Sequence, residues 1–353
     1  MSDSNKTGSK ISEFKLGDFL VKNAIYFIIT GLVIYVQIYS IQNNYSNTFL
    51  SFPSLIDILR RTAASMFLAL GVGGIIVLTG TDLSAGRVLG LTACISASLL
   101  QKPLELFPPK MFPELTAPPI IAVMLLVMVI GGLIGMFNGF FVSKFKLHPF
   151  IVTLATQLML YGVVLWYVQL GRNGGGPISG LTQNYSDFVK DNVMLGNTAI
   201  PYYVFYAVIA TMITWFIWNK TTLGKNMYAV GANPEAANVS GVSVMKTTIM
   251  IFTYAGILYG FSGFIEAARI GSNGPTTGVN AELDAIAACV IGGVSFTGGT
   301  GKISGIVTGV ILLTIISVAL QWLSVSSAMQ FIIKGALILI AVSIDMRKYL
   351  AKK

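Results

Sequence analysis

Apolar runs of about 20 residues recur along this 353-residue chain, each long enough to cross ~30 Å of hydrocarbon as a helix. A water-soluble core has no use for so many continuous apolar helices. Only 10% of the residues are charged, 54% are hydrophobic, and the mean hydropathy is +0.75, well outside soluble-domain composition. The runs define an all-α polytopic integral membrane protein with about ten transmembrane helices. They are expected near 24–41, 56–79, 88–100, 120–142, 150–170, 202–218, 247–268, 285–294, 303–320 and 331–344, the eighth weak and broken by glycines. The membrane domain then covers 24–344, between basic tails at 1–23 and 345–353. No secretory leader, strong internal repeat or soluble domain is read.

Ten crossings bring both termini to one side, and the basic residues test which side that is. Lys144 and Lys146, then Lys220, Lys225 and Lys246, then Lys302, then Arg347, Lys348, Lys352 and Lys353 share the side of the tail lysines Lys6, Lys10, Lys15 and Lys22. That side is expected to be cytoplasmic. Arg60 and Arg61 fall on the other, as part of an interfacial helix or as a docking point for something acidic outside. The net charge of +9 therefore reads as loop lysines facing anionic lipid, with no nucleic-acid partner.

Residues suited to chemistry are scarce. Cys94 and Cys289 lie in apolar runs and read as small packing residues. His148, the only histidine, stands before Pro149 where a helix begins, and supplies no metal cluster. GGTGKIS at 298–304 resembles a phosphate loop but lacks its spacing: Phe296 occupies the first glycine position and Ile303 the Ser/Thr after Lys302. The chain has no ATP site, metal or cofactor of its own, so energy from ATP has to come through a partner.

Three polar constellations interrupt the apolar pattern. In GANPEAANVSGVSVMK, 231–246, Asn233 suits an N-cap, Pro234 the first helical position, Glu235 the positive end of the dipole and Gly241 a left-handed stop. The product is a helix of about two turns, ~10 Å long at 1.5 Å per residue. So short a helix is marginal in water unless anchored or docked. It is an ordinary capped loop helix or a contact element. In TGTDLSAGR, 79–87, Asp82 and Arg87 break an apolar stretch, as a tight turn or as a broken helix lining a path. In ELDAIAACVIGGVSFTGGTGK, 282–302, a short helix ending in glycines is either re-entrant or a site of tight packing.

The segment EAANVSG, Glu235 to Gly241, resembles the EAA-x-x-x-G loop of bacterial ABC importer permeases. With GKNMYAVGANPEAANVSGV around it, GTDLSAGR before it and ELDAIAACVIGGVSFTGG after it, the chain resembles the permeases of the ribose/galactoside group along nearly its whole length. The resemblance implies the ABC importer transmembrane-domain architecture in the inner membrane, and a transport subunit that is not an enzyme. It implies a homodimer, an ABC ATPase partner commonly fused as a double domain, and a periplasmic sugar-binding protein. Galactose or methyl-galactosides are the favoured cargo. Within the coupling loop 219–246, Asn233, Pro234, Glu235, Ala236, Ala237, Ser240 and Gly241 would form the coupling helix that seats in the ATPase.

Candidates for the sugar path are Asp82, Arg87, Asn138, Gln157 and Tyr161, with Trp166 and Tyr254 as further aromatic surfaces; Trp166, like Trp215 and Trp218, reads more readily as an interfacial anchor. Arg60 and Arg61 would meet the binding protein. The alternative, an ion- or proton-coupled secondary sugar transporter, needs carboxylates near the midplane. Only Asp82 and Glu266 offer themselves.

Overall fold

The computed structural model describes residues 24–350 except 44, 46, 103–109, 196 and 197. The tail expected at 1–23, with its four lysines, and residues 351–353 lie outside the described residues. In chain order the elements begin with helices α1 (Ala24–Gln42), α2 (Phe52–Val77), α3 (Ala85–Leu99), α4 (Ile120–Lys144) and α5 (Pro149–Tyr167). There follow strand β1 (Ile178–Ser179), α6 (Gln183–Lys190), and strands β2 (Asn192–Leu195) and β3 (Thr198–Pro201). The rest are α7 (Tyr202–Lys220), α8 (Thr222–Ala232), α9 (Pro234–Val239), α10 (Val244–Ile270), β4 (Ser272–Asn273), α11 (Ala281–Ile291), α12 (Ile303–Trp322) and α13 (Ser327–Leu350).

By length and composition, five of these helices suit a membrane crossing: α4, α5, α7, α10 and α12. Shorter apolar helical stretches cover Phe27–Gln42, Ala85–Leu99 and Ser327–Ile340. Among the described residues, length and apolarity support five full crossings. The 15 residues of α3 and the 11 of α11 span only ~22 and ~16 Å at 1.5 Å per residue, short of the ~30 Å core.

The purely helical expectation also needs amending. Segment 171–201 holds α6 and a β2–β3 hairpin, and β1 pairs antiparallel with β4. Outside the spans, the backbone still has to satisfy its N–H and C=O groups, and short ribbons do so. The last helix continues to Leu350, past the end expected at 344. His148 is an N-cap: its Nδ1 accepts from the Phe150 amide at 3.3 Å, as a residue at a helix start should.

The tightest crossing joins α4 and α10. Lipid tails are as apolar as the helices, so close packing has to hold them together, and small residues permit it. Gly131, Gly135 and Gly139 recur at i+4 along α4 and meet α10 around Gly256 and Gly260. A Cβ on Gly135 would sit 2.1 Å from the Phe252 carbonyl oxygen, and one on Gly256 2.1 Å from that of Gly131. Backbone rests on backbone.

The two ends of the bundle differ. At the ribbon face, Arg60 near the start of α2 donates to the Ala199 carbonyl in β3 at 2.8 Å, and the Thr182 amide bonds the Leu100 carbonyl beyond α3 at 2.8 Å. At the opposite end lie α8 and α9. Thus α2 descends from the ribbon face, the chain breaks at 78–84, and α3 climbs back.

Candidate functional site

The short helix α9 forms as its residues require. Asn233 is extended, and its side-chain oxygen accepts from the Glu235 and Ala236 amides, both at 3.0 Å. Pro234 begins the helix. At the other end Gly241 takes φ +84°, a left-handed value glycine adopts without strain. This lets the Val242 amide return to the Ala237 carbonyl at 3.0 Å. Ser240 closes the last turn, its hydroxyl donating to the Ala236 carbonyl at 2.9 Å. Ala237 is the buried anchor, while the Val239 side chain is 90% exposed. Val239 thus stands displayed at the tip of a capped turn.

The loop leading to α9 is itself helical. Leu223, Met227 and Val230 follow helical spacing in α8, and Thr221 caps it by accepting from the Gly224 amide at 3.3 Å. That periodicity makes a helix of Thr222–Ala232 inside the segment 219–246 expected as a loop. Tyr228 on α8 donates to the Gly301 carbonyl at 2.9 Å. Burial raises its phenol above the ordinary value, so it stays a neutral donor.

Three backbone segments converge where α8 hands over to α9. The Gly299 amide donates to the Val77 carbonyl, the last residue of α2, at 2.9 Å. Gly231 fills the space between them: a Cβ there would stand 1.9 Å from the Val77 oxygen and 2.8 Å from the Gly299 nitrogen. One on Gly299 would stand 2.8 Å from Ala232 Cα. The base of the capped helix therefore bears directly on the break after α2 and on the glycine loop after α11.

These are the chain's two broken helices. The first turns of α3 and α11 meet inside the bundle: a Cβ on Gly86 would lie 2.1 Å from Glu282 Oε2. Arg87 on α3 donates to the Pro275 carbonyl at 2.8 Å and sits over the Tyr161 ring, 4.4 Å from its centroid. Glu282 is 3% exposed and lies within electrostatic reach of Arg87. The sequence marks Glu282, with Asp284, only as an acid ahead of an apolar run, and assigns it no role.

Asp82 and Asn138 do come together, with Thr156, in one buried network. Asp82 Oδ1 accepts from the Ser84 amide at 2.8 Å and the Ser84 hydroxyl at 2.6 Å. Asn138 Nδ2 donates to Ser84 Oγ at 3.0 Å, and Thr156 donates to Asn138 Oδ1 at 2.6 Å. The Tyr259 hydroxyl is buried and makes no hydrogen bond. Asp82 thus holds the break and ties α3 to α4 and α5. Asp82→Asn retains the accepting oxygen, so transport is expected to stay near the parent level. Asp82→Ala strands the buried Ser84 amide, and its thermal midpoint should fall by the equivalent of about 1–2 kcal/mol. A melting series on the purified variants checks both.

Gln157 and Tyr161 lie on α5, and only Tyr161 joins Arg87. Trp166 is exposed near the end of α5, as an interfacial anchor would be. Tyr254 shares a hydrogen bond with Thr214 at 2.7 Å. Arg60 is engaged by Ala199, whereas Arg61 pairs with Asp57 at 2.8 Å and stays 42% exposed. The sequence reading passed over two further pairs. Lys334, within the apolar run of α13, meets Asp284 of α11 at 2.8 Å, and Arg269 pairs with Glu266 at 2.6 Å.

Residues 54–342 match the model of a family described as branched-chain amino acid transport system / permease component. The galactose/methyl galactoside import permease protein of Haemophilus influenzae is 43% identical, over 98% of this chain and 100% of its own length. Its counterpart from Escherichia coli is 47% identical over 87% of this chain and 90% of its own. The ribose import permease protein of Bacillus subtilis is 36% identical over 95% and 93%. No solved structure matches the chain.

Proposed function

This chain belongs to the family of branched-chain amino acid transport system / permease components, and from that premise we propose that it is the permease subunit of an ATP-driven sugar importer. The cargo is galactose and methyl galactosides. The family description names amino acids, but relatives named for galactose import are 38–47% identical, against 34–36% for those named for ribose. The graded likeness favours galactose.

The observation that carries the coupling part of the reading is α9. A capped turn with one buried alanine and an exposed valine fits a groove on a second protein. Here that protein is an ABC ATPase, and two permease copies serve its two nucleotide-binding halves. Sequence gives α9 its shape, the Val77–Gly231–Gly299 contact its footing, and the broken helices something to move. ATP binding and release shift the bundle only so far as the ATPase contacts α9 differently in its two states.

The face bearing α9 is cytoplasmic in this reading. Lys144, Lys146, Lys220, Lys225, Lys246 and Lys302 collect there, as orientation by positive charge requires. The same rule of positive charge assigns the basic tails to that side. The ribbon face receives the periplasmic binding protein, with Arg61 near the docking surface.

Reconstitution tests the whole. Vesicles holding this chain, its ATPase and the binding protein should accumulate labelled galactose only with internal ATP. Accumulation by the permease alone under a proton gradient would instead establish the secondary-transporter alternative. Val239→Asp separates the coupling assignment from the rest. Burying a valine contributes roughly 1.5–3 kcal/mol, so ATPase association should weaken about tenfold or more while membrane insertion is unchanged. Unaltered association would remove α9 from the interface.

A further inference from the structure

A groove of about 230 Å³ is bounded by α2, the end of α10, α11, α12 and α13 on the ribbon half of the bundle. It is smaller than the roughly 300–1,000 Å³ sites that take drug-sized ligands, and suits a single monosaccharide. Arg61, Arg269, Asp284, Ser317, Gln321 and Lys334 line it. Charged groups in apolar helices are costly and face a cavity or a partner; these face a cavity.

Each cation there has its carboxylate. Lys334 meets Asp284 at 2.8 Å, Arg61 meets Asp57 at 2.8 Å, and Arg269 meets Glu266 at 2.6 Å. The Lys334 side chain is 19% exposed and that of Asp284 43%, so the pair is held yet reachable. The wall offers N–H donors and the Asp284 carboxylate, and Arg61 and Arg269 are neutralised from behind by Asp57 and Glu266, which do not line the groove, so it is a poor home for an ion. A hydroxyl both donates and accepts, and fits such a wall. Beneath the groove α2 and α11 close on each other, with Cys289 Sγ donating to the Ala69 carbonyl at 3.2 Å.

We propose that this groove is a transit site for an uncharged polyol, open to the ribbon face in this conformation. The inference rests on the importer reading and gives the cargo a place in the chain. Arg61, Arg269 and Lys334 donate to ligand oxygens; Asp284 and Gln321 accept from ligand hydroxyls. No aromatic ring is among the lining residues, so the stacking that makes sugar sites tight is missing. The site binds weakly and lets go, as conduction demands.

The test uses the assembled importer in vesicles. Ser317→Trp fills the groove, so galactose uptake should fall roughly tenfold or more, equivalent to about 1.4 kcal/mol at that step. ATP hydrolysis stimulated by loaded binding protein should persist, whereas a merely structural lesion would lower both. In the second arm, Ser317→Cys is labelled with a membrane-impermeant methanethiosulfonate. The native Cys94 and Cys289 are buried, so they contribute little background. Galactose should slow that labelling and equimolar lactate should not.

Uptake by Ser317→Trp at the parent level, or labelling indifferent to galactose, overturns the site. If Ser317→Trp fails to assemble, the labelling result decides alone. Galactose protection in a parent complex that imports no sugar would sink the importer reading and keep the groove.

Discussion

Gly231→Val is expected to leave a permease that inserts, binds its ATPase and imports almost nothing. The space beside Gly231 belongs to the Val77 carbonyl oxygen, 1.9 Å from where a Cβ would stand, and to the Gly299 nitrogen at 2.8 Å. Both are backbone, so no side chain can rotate away. Overpacking of this kind typically costs 1–3 kcal/mol. The strain falls on the contact that joins the base of α9 to both broken helices. The exposed face of α9 is untouched, so ATPase association should persist. Uptake and ATP hydrolysis measured in the same vesicles check the split, with import down roughly tenfold per 1.4 kcal/mol. Parent-level import would show that force does not pass through this contact, since proximity alone is weak evidence for a coupling route.

Gly135→Leu should act at an earlier link, on the fold itself. Its Cβ would enter the Phe252 carbonyl at 2.1 Å, with Thr253 Cα at 3.2 Å, and so force α4 and α10 apart along the closest crossing in the bundle. About 3 kcal/mol or more of lost packing is expected, seen as permease missing from the membrane fraction and a lowered melting midpoint. Gly162→Leu is the control. A Cβ on Gly162 has nothing within 4 Å, so the same change there should be tolerated. Equal abundance and equal melting for the two variants would refute the close crossing.

Much of the local structure was legible because its causes are local. Asn233, Pro234 and Gly241 carry a cap, a first turn and a left-handed stop within nine residues. His148 before Pro149 announced a helix start in the same way. The helix α8 was legible too, since Leu223, Met227 and Val230 share one helical face, but a polar setting hid it. The hairpin β2–β3 offered no comparable pattern: its strands are only four residues each. Asp82 could be singled out as a buried acid in a break, but not assigned. Whether such a group lines a path or caps a helix depends on Ser84 in the break itself, Asn138 on α4 and Thr156 on α5, which only the packing brings together.

The amino-acid sequence by itself determined that this chain lives in a membrane, and where α9 begins and ends. Apolar length and capping geometry are set by residues within a few positions of one another. Only the tertiary structure decided that Gly231 bears on Val77 and Gly299, that Gly86 meets Glu282, and that Lys334 finds Asp284 fifty positions away. Those partners are chosen by how helices stack, and helices whose lipid-facing sides are all equally apolar carry no record of their neighbours except where a glycine or a charge makes one arrangement cheaper than the rest.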